Sequence, residues 1–221
     1  MIDTHAYMDE LTRCLLAHFG ARLVYVGLQG SRRRGEAKEN SDVDVMAVLD
    51  RLDIRDMDDY RAIVAGVSSE VPSCGFICGV SELKNWNALE LCQLTHETLD
   101  VYGTLADLVP SYTPDDVRAY VKYNVAAGYH MLCHEYIHST REACEQALLF
   151  CFRSAFPMMC SVFWLQNGVY PQTKSELLER LSGADREILS RSCQLKDGGA
   201  LHFESDYLMM FTWCQTLLQT L

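Results

Sequence analysis

Asp42 and Asp44 flank a single valine at the head of an apolar run, DVDVMAVL, over residues 42–49. Residues two apart on a strand share a face, so both carboxylates point the same way while Val43 and Val45 turn to a core. Two like charges at that spacing repel unless a cation sits between them, and paired hard oxygens suit Mg²⁺ held jointly with the phosphates of a nucleotide. Just upstream, the β-branched and aromatic run RLVYVGL leads into Gly30-Ser31. A glycine there lets the backbone approach a ligand, and Ser31 adds a hydroxyl. A helix starting at that point would offer its free N–H groups to phosphate. Arg32, Arg33, Arg34 and Gly35 follow, and Ser41 stands before Asp42. Guanidiniums suit an anion site, although a triple arginine taken alone is most often a solvated turn. A phosphate-binding loop feeding a metal-binding strand is the equipment of phosphoryl or nucleotidyl transfer.

The elements that must position these residues are legible from periodicity. Up to about Leu108, short β-type runs alternate with helical stretches; after Thr113 the pattern is helical to the end. Helices are expected over Asp3–Phe19, Asp56–Ser68 and Ser81–Gln93, and strands over Arg22–Leu28, Asp42–Leu49, Gly75–Val80 and Leu99–Leu105. Thr113-Pro114-Asp115-Asp116 reads as a helix start: an N-cap, Pro at the first helical position and an acid three residues on. Further helices are expected over Pro114–His138, Arg141–Gln166, Lys174–Leu181, Asp185–Gln194 and Phe203–Leu221. The expected fold class is α+β, with a small mixed-sheet domain over 1–110 followed by an all-α helical bundle over 111–221.

Composition sets outer bounds. With 30 acidic and 19 basic side chains in 221 residues, the net charge is −11. That field opposes duplex nucleic acid, and it is compatible with a cationic small substrate. The N-terminus, MIDTHAYMDELTR, carries acids where a signal peptide needs lysines and an apolar core. The most apolar stretch, Ala143–Leu165, is broken by Glu145, Gln146, Arg153 and Pro157, so no membrane span is expected. Ten cysteines without a C-x-x-C pair read as reduced, mostly buried side chains of a cytoplasmic protein.

Gly30-Ser31, Gly35 and Ser41-Asp42-x-Asp44 on a hydrophobic strand resemble the signature of the polymerase-beta superfamily of nucleotidyltransferases. The layout downstream is similar to that of bacterial proteins, aminoglycoside nucleotidyltransferases among them, that pair this domain with a helical C-terminal domain. The resemblance implies an enzyme in which Asp42 and Asp44 hold Mg²⁺, the cofactor. Gly30 and Ser31 grip the triphosphate of an NTP, with ATP the expected one, aided by Arg32, Arg33, Gly35 and Ser41. The acceptor is a hydroxyl of a small molecule or protein, Mg²⁺ and the NTP are expected to bind together between the halves, and pyrophosphate is released. Such proteins usually add a third carboxylate from the next strand, yet Ser73–Val80 holds no acid. Glu82 and Glu90 are the candidates to replace it as catalytic residues, with Glu97, Glu135 and Glu142 behind them. The missing acid leaves an alternative: a weak or inactive nucleotide- or partner-binding module of a toxin–antitoxin-like kind.

Other features read as ordinary structure. His130, His134 and His138 recur every four residues on one helix with Cys133 between, which is a zinc-like spacing but more often an inter-domain surface. Arg13-x₄-His18 matches a ribonuclease-toxin spacing by chance, and the tryptophans and the Cys144/Cys151 pair read as core. A homodimer is compatible with the sequence.

Overall fold

The computed structural model describes residues 2–67 and 71–221. The chain divides into two compact units, Met1–Ser111 and Tyr112–Leu221.

The first unit opens with α1 (Thr4–Phe19), started by Asp3, whose carboxylate accepts from the backbone N–H groups of His5 and Ala6. There follow β1 (Leu23–Gln29), α2 (Gly30–Arg33), β2 (Val43–Leu49), α3 (Ile54–Val67), β3 (Ser73–Gly79), α4 (Val80–Lys84), α5 (Ala88–His96) and β4 (Leu99–Tyr102). The four strands lie in the order β3-β2-β1-β4, with β2 and β3 parallel and the other pairs antiparallel. One face of the sheet packs Val26, Leu28, Val43 and Val45 against Leu11 and Leu15 of α1 and Ile63 and Val64 of α3. The other face packs Tyr25, Met46, Val48 and Cys78 against Leu83 and Leu94 from α4 and α5. Val43 and Val45 are fully buried, which leaves Asp42 and Asp44 to the opposite side of the β2 head.

Element bounds depart from expectation where non-local pairing decides. The expected helix over Ser81–Gln93 is two helices, broken around Asn87, whose side chain accepts from Leu89 N–H and starts α5 afresh. β3 begins two residues before Gly75, because Ser73 and Cys74 pair with Val43 and Asp44. β4 stops at Tyr102 rather than Leu105, which belongs to a short 3₁₀ turn. The helix expected over Asp56–Ser68 is α3, and its expected end at Ser68 lies outside the described residues.

The second unit comprises α6 (Pro114–His138), α7 (Arg141–Asn167), α8 (Lys174–Arg180), α9 (Gly183–Lys196) and α10 (Phe203–Thr220), with no strand among its described residues. The Thr113–Asp116 capping box is formed in full, side chain to backbone in both directions. α7 packs against α6, α9 and α10 and buries Leu148, Phe152, Phe156 and Met159. By length and composition it could cross a membrane, but over half of its most apolar window is buried in this unit, as in a core helix. Arg191 and Asp206 tie α9 to α10 with two 2.7 Å hydrogen bonds.

Candidate functional site

The geometry around Asp44 follows from the register of β2. Gln29, the last residue of β1, pairs with Asp44, so the chain leaves β1 at Gly30 directly beside the Asp44 carboxylate. Gly30 adopts φ +68°, and a Cβ there would collide with that carboxylate, so both the backbone and the space require glycine. Across the parallel pairing with β3, Asp44 faces Cys74. The next residue, Gly75, has φ +112°, and a Cβ on it would strike the backbone of Val45. Glycine at this point lets β3 lie against β2 and holds Cys74 beside the acidic pair. One ligand atom each of Asp42, Asp44 and Cys74 lies within 4.8 Å of the other two.

The arginines expected to face phosphate are committed elsewhere. Arg32 is buried and donates to the backbone carbonyls of Asp42 (2.9 Å) and Ser41 (2.6 Å) and to the Thr4 hydroxyl (3.3 Å). It is therefore the strut that sets the head of β2. Arg33 donates to the His96 carbonyl (2.7 Å), and Arg34 is paired with Glu36 (3.1 Å) and Glu97 (2.8 Å). The Ser41 hydroxyl accepts from the Lys38 N–H (2.8 Å) and closes the turn before Asp42. Ser31 lies half-buried in α2, and Gly35 ends that turn at φ +69° with open space around it.

Among the described residues, neither the Asp42 nor the Asp44 carboxylate accepts a hydrogen bond or joins an ion pair. Burial pushes the Asp44 carboxyl above the usual range, and the Asp42 charge pushes it further; Arg34 and Arg32 only partly oppose this. A carboxyl held high by burial and a like charge is one whose ionised form a nearby cation would favour. Asp42 and Asp44 together fit Mg²⁺, being two hard oxygen donors close together at the head of β2. The Cys74 sulfur is a soft donor and adds nothing to a magnesium site.

Within the first unit, the two leading candidates for a replacement acid, Glu82 and Glu90, are engaged away from the acidic pair. Glu82 lies against Gly79, at the opposite end of β3 from Cys74 and roughly 16 Å away along the strand at ~3.3 Å per residue. It is at the far end of β3 because α4 starts where β3 ends. Glu90 is exposed and accepts from the indole N–H of Trp86 (2.8 Å), which lies just before α5. Glu97 is the one of the group tied to the loop after β1, through Arg34. Glu135 and Glu142 belong to α6 and α7 of the second unit. The residue that sequence reasoning missed is Cys74; scanning Ser73–Val80 for any metal-capable donor, rather than for acids, would have found it. The histidine face of α6 gathers no comparable donor cluster, since Asp42, Asp44 and Cys74 form the close donor group found among the described residues.

Comparison with known proteins bears on the fold and the family. The solved structure of spectinomycin adenyltransferase AAD(9) from Enterococcus faecialis, with ATP and spectinomycin, matches 99% of this chain and 100% of its own, at a TM-score of 0.65 and 14% identity. That likeness is one of fold. No curated protein matches the chain by sequence. Residues 9–122, which contain the whole of the acidic pair, the glycine turn and Cys74, match the family described as "Nucleotidyltransferase domain". The match spans more than half of the chain, which therefore belongs to the nucleotidyltransferase domain family.

Proposed function

We propose that this chain transfers AMP from ATP to a hydroxyl group of a small cationic molecule, releasing pyrophosphate, with Mg²⁺ held by Asp42 and Asp44. The observation that carries the reading is the acidic pair itself. Two carboxylates share a strand face without a protein cation to satisfy them, and one is held protonation-prone by burial and its neighbour. Mg²⁺ in that position supplies charge neutralisation for the triphosphate and the leaving pyrophosphate.

The chain's own residues do the rest. Gly30 lets the chain turn directly beside the Asp44 carboxylate, which fills the place a side chain would take, and Ser31 offers a hydroxyl at the same turn. Arg32 fixes the Ser41 and Asp42 carbonyls and so orients the first carboxylate. In the reaction the acceptor oxygen bonds to the α-phosphorus, the bond to the bridging oxygen of pyrophosphate breaks, and the hydroxyl proton passes to solvent. ATP and a small acceptor are supported by the fold shared with an adenyltransferase solved with ATP and spectinomycin, and a cationic acceptor by the net charge of −11. The helical unit is assigned to acceptor or partner recognition.

A second reading has one specific observation in its favour: Cys74 stands where a carboxylate base would face Asp44, so the chain binds nucleotide with little or no turnover. Pyrophosphate release, measured with each NTP over a panel of spectinomycin, aminoglycosides and simple polyols, separates the two. Release that depends on ATP, Mg²⁺ and one acceptor class supports transfer. ATP binding without release for any acceptor supports the binding module.

A further inference from the structure

We propose that Asp42, Asp44 and Cys74 form a mixed oxygen–sulfur site that takes a thiophilic divalent cation of the zinc class in preference to Mg²⁺. The proposal rests on the reading of Asp42 and Asp44 as metal ligands and goes beyond it by naming a third ligand and the cation it selects. Three independent features of the molecule converge on it.

The first is register. Cys74 is the direct partner of Asp44 in the parallel β2–β3 pairing, so both side chains leave the same face of the sheet. The second is proximity. The three ligand atoms lie within 4.8 Å of one another. A tetrahedral ion with bonds of about 2.0–2.3 Å holds its ligands roughly 3.3–3.8 Å apart, so the donor atoms stand at most roughly 1–1.5 Å beyond that spacing. The third is access. All ten cysteines are free thiols, and Cys74 alone of them is exposed, while the other nine are half-buried or buried in cores.

Chemistry then decides between cations. Mg²⁺ gains nothing from sulfur and is content with two carboxylates, phosphate and water. Zn²⁺ and Co²⁺ bind thiolate strongly, and two carboxylates with one thiolate leave a fourth position open for water or a phosphate oxygen. On binding, the Cys74 S–H bond breaks, the sulfur–metal bond forms from the sulfur electron pair, and the proton leaves to solvent. The net charge of the three protein ligands, −3 when all are ionised, also brings in a divalent cation without a nucleotide to complete the site.

The test is a titration of the full-length chain, reduced and stripped of metal, with Co²⁺ alone. A thiolate-to-cobalt charge-transfer absorption is expected, saturating at one ion per chain and accompanied by proton release into a weakly buffered solution. Cys74→Ser removes that absorption and weakens Co²⁺ binding by about tenfold or more. Asp44→Asn, which keeps every thiol, removes the absorption as well. A wild-type chain with no sulfur–cobalt absorption overturns the proposal whatever the variants do, and so does an absorption that survives in Cys74→Ser. Calorimetry of Mg²⁺–ATP binding on the same wild-type sample keeps the two readings apart. ATP binding without a sulfur–cobalt signal sinks the mixed site alone, whereas a sulfur–cobalt signal without ATP binding sinks the nucleotide reading alone.

Discussion

Asp206 in the helical unit and Asp44 in the sheet unit are both carboxylates withdrawn from water, and the chain treats them in opposite ways. Asp206 is almost fully buried. Burial pushes its carboxyl up, but Arg191 and the backbone N–H of His202 more than reverse this and hold it below the usual range. Asp44 also has arginines near it, yet Arg34 is paired with Glu36 and Glu97, and Arg32 is spent on two backbone carbonyls. Its carboxyl is held high, with a second acid two residues away. The contrast separates a carboxylate that staples a fold from one whose charge is left for a ligand to satisfy. Buried ion pairs of the first kind hold helices in register; unsatisfied acids of the second kind mark sites.

That contrast is open to direct attack. Asp206→Ala leaves a guanidinium that is 13% exposed without its carboxylate, keeping only the Ala200 carbonyl and the Gln194 side chain, and unfolding by denaturant should show a loss of about 3 kcal/mol. A loss below about 1 kcal/mol would mean that the pair staples nothing. Gly30→Ala puts a methyl group on a left-handed backbone and against the Asp44 carboxylate. The expected cost is about 1–2 kcal/mol in stability, together with a drop of at least about tenfold in Mg²⁺–ATP affinity. An alanine variant that binds as tightly as the parent would remove the close approach at Gly30 from the account.

The smallest effect has the most informative sign. Because the folded-state value of Asp44 is raised, its contribution to stability is fully present below the ordinary carboxylate value of 3.8 and is lost as pH rises through the folded value. The metal-free chain therefore carries a penalty at neutral pH, which Asp44→Asn should relieve by at most about 1 kcal/mol, since the group is only half-buried and screened. Melting temperatures of parent and variant measured across pH, with and without Mg²⁺, check this. The parent should gain from Mg²⁺ at neutral pH and lose that gain in acid, and Asp44→Asn should show neither trend. A parent chain that is more stable at neutral pH than Asp44→Asn without metal would reverse the sign and the argument.

How much of this was legible in the residues depended on whether the decisive contact was local. The Asp42-x-Asp44 pair, the glycine turn, the Thr113 capping box and the helical texture after Pro114 are carried by neighbours in the chain, and periodicity exposes them. The break before Ala88 was hidden, because Ser81–Gln93 keeps a helical apolar pattern across Asn87. The roles of the arginines were hidden too. Arg34 finds Glu97 63 residues away, and Arg33 finds His96 at the same separation. No local pattern distinguishes a phosphate-facing guanidinium from one that ties a loop to a distant helix end. Cys74 was invisible for a related reason: which residue of β3 faces Asp44 is set by the register of two strands joined through α3, and nothing in the strand's own composition specifies it.

The central claim is that Asp42 and Asp44 hold a cation together with a nucleotide, and calorimetric titration of Mg²⁺–ATP into the parent chain and into the Asp42→Ala/Asp44→Ala double variant tests it most directly. The parent should bind one nucleotide only when Mg²⁺ is present, and the double variant should show no metal-dependent heat while remaining folded by circular dichroism. Equal Mg²⁺-dependent affinity in the two proteins would place the metal and the nucleotide elsewhere and contradict the account.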